Sequence, residues 1–151
     1  SEQKRVFSLI PGLENAEFVK YGRMHKNTYM NSPQLLNNKF NLNAVKRFYF
    51  AGQMTGVEGY VESAASGLMA GLHAAREALG LEAVEFPAET AHGALANYIS
   101  NPAVKEFQPM NVNFGLIPPL TQRIRKKREK NAMIAARALE VLDVVKAKYE
   151  L

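Results

Sequence analysis

Three glycines, Gly52, Gly56 and Gly59, stand between an apolar stretch and a long alanine-rich segment in the run RFYFAGQMTGVEGYVESAASGLMAGLHAAREALG, Arg47 to Gly80. Val61, Ala64, Ala65, Leu68, Met69, Leu72, Ala75 and Leu79 recur there at helical spacing, and Gly80 is suited to end the helix. Interior glycine costs a helix roughly 0.5–1 kcal/mol relative to alanine. A helix that keeps Gly67 and Gly71 must gain something from the missing side chains. A helix N-terminus offers unpaired backbone N–H groups and partial positive charge, and glycine there lets a ligand come close to the backbone. The glycine spacing is not G-x-G-x-x-G, so the standard dinucleotide fingerprint is absent. A ligand-binding turn and a purely structural tight turn both fit, and glycine clusters after strands favour the first. On that reading Ala64, Ser66, Gly67, Ala70 and Gly71 let the helix lie close against a sheet.

The remaining pattern predicts one unit over 1–151, without an internal repeat or a low-complexity tract. Phe18 to Met30 alternates weakly between apolar and polar residues and reads as a strand, bounded by Pro11-Gly12 and by Asn31-Ser32-Pro33. The stretch 47–51, RFYFA, reads as a second short strand. A linker with Pro87 follows the long helix. Thr90 is placed to cap a short helix that runs to about Ile99 and stops at Asn101-Pro102. Pro109, Gly115, Pro118 and Pro119 make the next stretch a structured loop. Ile124, Ala132, Ala135, Leu139, Leu142 and Val145 predict a long helix from about Gln122 to Lys148.

Composition narrows the chemistry. With 151 residues, 47% hydrophobic and 22% charged, the chain has the make-up of a soluble domain with a real core. No apolar run is long enough for a membrane span, and no targeting pattern opens the sequence. There is no cysteine, which excludes disulfides, thiolate metal sites and a thiol nucleophile within this sequence. His25, His73 and His92 lack ligand spacing, so no metal site is expected. The net charge of +5 is local: Arg123, Arg125, Lys126, Lys127, Arg128 and Lys130 are opposed nearby by Glu129 alone, and elsewhere the charges balance. Such a patch suits a phosphate backbone, and it equally suits a solvated helix face.

The segment FAGQMTGVEGYVESAASGLMAGLHAAR resembles the second flavin-binding segment of the GidA-like tRNA-modifying flavoproteins. RVFSLIPGLENAEFVKYGRMHKNTYMNSPQLL, FPAETAHGALANYIS and FQPMNVNFGLIPPL resemble the TrmFO family within that group, the folate- and FAD-dependent tRNA (uracil-5-)-methyltransferases. The likeness covers nearly the whole chain and only the C-terminal third of that family. The Gly-rich FAD phosphate loop and the cysteine pair of the family have no counterpart in these residues. The resemblance therefore implies an α/β fold: the C-terminal part of a Rossmann-like FAD-binding domain with a mostly helical C-terminal region, incomplete without the N-terminal part. Residues 1–80 would carry the second flavin-binding segment and 81–151 the helical region, in a C-terminal fragment of a larger cytoplasmic enzyme.

The resemblance implies FAD, methylenetetrahydrofolate and NAD(P)H as cofactors of that enzyme. Its partners would be tRNA and the N-terminal remainder of the same protein, with no membrane and no DNA. It places Ala51, Gly52 and Gln53 beside the ribityl chain. Val57, Glu58, Gly59 and Tyr60 would face the isoalloxazine, with backbone N–H groups aimed at a pyrimidine carbonyl. It puts no catalytic residue in this portion and makes the isolated fragment inactive. His92, Asn111 and Asn113 are candidates to line a folate slot, against a helix-surface histidine and loop-internal amides. His25 and Tyr29 could face the same cavity or serve core packing, and His73 reads as structural. The basic cluster, Arg123 to Lys130, is the candidate tRNA contact. Two other readings stay open: a wobble-uridine tRNA-modifying flavoprotein of the same superfamily, and a non-catalytic RNA-binding module built on the 121–131 patch.

Overall fold

A computed structural model describes residues 2–22 and 27–151. The candidate His25 lies outside the described residues. Five helices follow one another: α1 (Glu2–Phe7), α2 (Ser32–Leu35), α3 (Tyr60–Ala78), α4 (Ala91–Ile99) and α5 (Lys127–Tyr149), with a 3-10 turn at Gly52–Thr55 just ahead of α3. The described residues are mostly helical and contain no strand. Among the described residues, strand-like backbone pairing is limited to isolated bridges, Leu36 with Leu42 and Asn41 with Tyr49 antiparallel, and Val57 with Met110 parallel.

The two strand expectations are therefore corrected. The described parts of 18–30 form no ladder, and Val19 is fully exposed. In 47–51 only Tyr49 enters a bridge, with Phe48 O and Phe50 N bonded to Leu42 and Phe40. Alternation and apolar content describe a segment able to be a strand, but a strand exists only where a neighbour pairs its backbone.

The helical expectations fare better because their bonds are local. α3 spans Tyr60–Ala78, and α4 follows its Thr90 cap. Thr90 Oγ1 accepts from Gly93 N at 2.9 Å and donates to Pro87 O at 2.7 Å. α5 starts at Lys127 rather than near Gln122. The intervening residues include Arg123, Arg125 and Lys126, whose like charges are disfavoured at the positive end of a helix.

The core lies where α3 and α4 meet the loops around Phe40 and Phe107. Phe40, Val57, Met69, Leu95, Ile99 and Phe107 form its main cluster. Val84, Val145 and Tyr149 form a second cluster, and Ala94, Ile117 and Ile134 a third. His73, on α3, is 2% exposed. Its ring nitrogens lie 3.1 Å from Lys39 O and 2.9 Å from Val84 O, which ties α3 to two loops and makes it a structural residue. The expected close approach through Gly67 and Gly71 is absent here. Both are exposed, a side chain on either would meet nothing, and Ser66 and Ala70 face inward instead. Of the small residues named, Ser66 and Ala70 pack inward and Gly67 and Gly71 lie on the exposed face of α3.

Candidate functional site

The glycine turn divides into a locked front and an open back. In front, Gly52 N donates to Ser66 Oγ at 2.8 Å, and Thr55 Oγ1 donates to Gly52 O at 2.8 Å. Ser32 Oγ closes the same region by donating to Thr55 O at 2.8 Å. Further on, Glu58 N donates to Met110 O at 3.1 Å and Met110 N donates to Gly56 O at 3.0 Å. This parallel bridge carries the 110–113 loop alongside the start of α3. Val57 between them is fully buried and serves as a core wedge.

The back of the turn opens on a pocket of about 270 Å³ lined by Gln53, Glu58, Gly59, Tyr60, Ser63, Asn111 and Asn27. Gly59 is the N-cap residue of α3, with φ 90°, and no side chain caps the helix there. Gly59 and Tyr60 thus bring the start of α3 to the pocket wall, and a helix start favours a carbonyl or an anion nearby. A Cβ on Gly59 would collide with the Glu62 carboxylate and stand 2.7 Å from Asn111 Nδ2. Glycine is required there by its positive φ, whereas the crowding is with the ends of two side chains that can move.

Four of the seven expected cofactor residues line this pocket: Gln53, Glu58, Gly59 and Tyr60. Ala51, Gly52 and Val57 do not line it. Of the folate candidates, Asn111 joins it. Asn113 does not: its Nδ2 donates to Asn111 O at 3.2 Å and its Oδ1 accepts from Gly115 N at 2.9 Å, so it is a loop-internal amide. His92 lines a separate apolar cavity of about 430 Å³ between α3 and α4, with Glu62, Ala65, Met69, Leu95 and Val112 among its walls. There His92 Nδ1 is buried without a hydrogen-bond partner, and the ring stacks on Phe86 at 5.6 Å. Burial holds its pKa below the ordinary histidine value. Tyr29 is held edge-on to Phe107 at 6.0 Å and packs against the main core.

Sequence reasoning missed Asn27 and Ser63. Ser63 sits one helical turn from Gly59 and was hidden among small residues. Asn27 reaches the pocket from a distant segment, between His25 and Tyr29, where the resemblance pointed to a cavity without singling it out. The basic cluster is exposed throughout. Arg123, Arg125 and Lys126 precede α5, while Lys127, Arg128 and Lys130 lie in its first turn. Lys126 pairs with Glu129 at 3.0 Å. No helix among the described residues is long and apolar enough to cross a membrane. Among the same residues, no group of three or more metal-ligating side chains gathers.

A family model described as Glucose inhibited division protein A matches residues 1–82 of the 151. The chain belongs to this GIDA family. Within it, the chain is 61% identical over 145 residues to the methylenetetrahydrofolate--tRNA-(uracil-5-)-methyltransferase TrmFO of Lactiplantibacillus plantarum, covering 96% of this chain and 33% of that protein. The protein of the same name from Enterococcus faecalis is 61% identical over 140 residues, covering 93% of this chain and 32% of its own length. That from Acetivibrio thermocellus is 57% identical over 148 residues, covering 98% and 34%. The chain thus spans about a third of the length of the curated relatives it matches.

Proposed function

We propose that this chain is the C-terminal part of a folate- and FAD-dependent tRNA (uracil-5-)-methyltransferase, and that it completes a Rossmann-like FAD-binding domain. The observation that carries this reading is the Val57–Met110 bridge. It brings two distant motifs, GVEGY and MNVNFG, to one pocket at an uncapped helix start. The residues fit a flavin. Gln53, Glu58, Gly59 and Tyr60 would hold one edge of the ring system. The first-turn N–H groups of α3 would favour a carbonyl oxygen there and any negative charge that develops on it. Bound flavin would supply electrons for moving a one-carbon unit from methylenetetrahydrofolate to carbon five of a tRNA uridine, with NAD(P)H as the electron source. Asn111 would meet the folate side of that pocket. His92, behind α3, would act on it only through packing. The six basic residues from Arg123 to Lys130 would hold tRNA phosphates.

The outward face of α3 supports the incompleteness of the site in this chain. Tyr60, Val61 and Leu68 are exposed there at 98%, 80% and 71%, with Leu79 just past the helix at 73%, an apolar surface that fits the N-terminal remainder of the enzyme. The relatives carry the folate-dependent name, which favours this reading over the wobble-uridine alternative and over a stand-alone RNA-binding module.

The test is made on the complete enzyme. Wild type is expected to bind flavin and to methylate tRNA with methylenetetrahydrofolate as donor. Gly59→Val is expected to lose flavin and methylation while keeping its helical circular-dichroism signal, because the added side chain meets Glu62 and Asn111 and cannot relax at positive φ. A wild type that transfers no one-carbon unit, or a Gly59→Val variant with full flavin and activity, would refute the reading.

A further inference from the structure

Asn27 is shared by two depressions. One is the pocket at the start of α3, and the other is a larger groove of about 750 Å³ beside it, lined by polar and aromatic residues together. Asn27, Thr28, Tyr29, Asn31, Lys105 and Gln108 line the groove. We propose that this groove receives the target pyrimidine nucleotide of the RNA substrate, with Asn31 and Gln108 reading the base edge and Lys105 holding one phosphate. The proposal rests on the placement of the flavin at Gly59 given above.

The chemistry of the wall points to a lactam-bearing base. Uracil offers an acceptor, a donor and an acceptor along one edge, and a carboxamide presents a donor and an acceptor side by side. Asn31 stands at the N-cap of α2, where asparagine ordinarily bonds the helix backbone, yet it makes no such bond. Its amide is left for another partner. Gln108 is fixed through its main chain, since Tyr98 Oη donates to Gln108 O at 2.8 Å, while the residue itself is exposed. Tyr29 is anchored edge-on against Phe107, and aromatic walls of this kind hold bases taken out of a stack.

Charge sets the size of what fits. Lys105 is countered by Glu106, which also borders the groove, so the wall is neutral overall. A neutral amide-lined wall with one lysine suits a single nucleotide rather than a run of phosphates, which the distant 123–130 cluster suits better. Continuity through Asn27 places a base in the groove next to whatever occupies the pocket at Gly59. Group transfer to that base needs this adjacency.

The pterin of folate bears a similar lactam edge, so the experiment separates the two sources. In the complete enzyme, Asn31→Asp and Gln108→Glu together remove two amide donors with little change of shape. The tRNA kcat/KM is expected to fall roughly ten-fold or more, with flavin content and the KM for methylenetetrahydrofolate unchanged. Equilibrium dialysis of the same two proteins is expected to show uridine monophosphate binding to wild type, weaker binding to the double variant, and little adenosine monophosphate binding to either. A raised folate KM with intact uridine monophosphate binding would assign the groove to the pterin and overturn the proposal. Unchanged tRNA kinetics in the double variant would also overturn it. A wild type that binds uridine monophosphate through these amides yet methylates no tRNA would refute the proposed reaction and leave the groove standing.

Discussion

His92 shows how a buried polar atom can be tolerated. Its Nδ1 has no partner, its ring lies on Phe86, and its surroundings are apolar. Burial penalises the charged form and depresses its pKa below about 6.5. The sign of the linkage follows. In the unfolded chain the imidazole takes up a proton near its ordinary pKa, while the folded chain resists it. The unfolded state therefore binds more protons in that window, so stability rises with pH there. The contribution of His92 is fully present above pH ~6.5 and is lost as pH falls from there toward the depressed folded value. The urea midpoint of wild type should thus drop more between pH 7.5 and 5.5 than that of His92→Leu, with the other titrating groups common to both. Equal drops would mean that the folded protein accepts the proton at His92 without penalty.

At the scale of elements, α4 sets propensity against contact. Alanine is a better helix residue than glycine by roughly 0.8–1 kcal/mol, so helix propensity alone would have Gly93→Ala stabilise the chain. The structure reverses the sign. A Cβ on Gly93 would stand 2.6 Å from the Pro87 carbonyl carbon and closer still to the carbonyl oxygens of Phe86 and Pro87. Those atoms are backbone, and Thr90 clamps the same turn through its bond to Pro87 O. The helix must shift, and Gly93→Ala should destabilise by roughly 1–3 kcal/mol. Equilibrium urea unfolding decides it, and a variant at least as stable as wild type would show that α4 can move at no cost. This contrast also marks what the sequence could tell. Thr90 and the 61–79 periodicity announced α4 and α3, because caps and helical spacing are local signals. Nothing local announced that Gly93 touches the backbone at 86–87, or that Gly67 and Gly71 are exposed. The strand readings for the described parts of 18–30 and for 47–51 are not met for a related reason, since pairing depends on a neighbour that a single segment does not encode. The site was legible in the same proportion: Gly59 through its turn, Asn111 only through resemblance, and Asn27 not at all.

The molecule as a whole separates its charges from its pocket. The residues at the α3 turn include Glu58 and Glu62, whereas the excess positive charge sits on the exposed approach to α5 and its first turn. Cations at a helix N-terminus oppose the macrodipole and weaken the helix end, and Lys126 alone of the six pairs with an acidic residue among the described contacts. Helix stability does not account for this cluster, and the proposed role for it is phosphate binding. Arg125, Lys126 and Lys127 are consecutive and exposed, and the backbone enters α5 between the second and third, so they do not share the i, i+4 spacing of one helix stripe. They should meet phosphates without reading bases. Counterion release then makes affinity fall steeply with salt, and each lost contact flattens the logarithmic slope by roughly 0.7–0.9. In the complete enzyme, Arg125→Ala, Lys126→Ala and Lys127→Ala together should weaken binding of different tRNAs to a similar degree and reduce the salt slope by roughly two. The loss in kcat/KM should appear in KM, because these contacts are made equally before and during the reaction. Filter binding at two salt concentrations measures both quantities, and identical affinities with identical slopes in wild type and variant would make the cluster a solvated face and remove its role in tRNA binding.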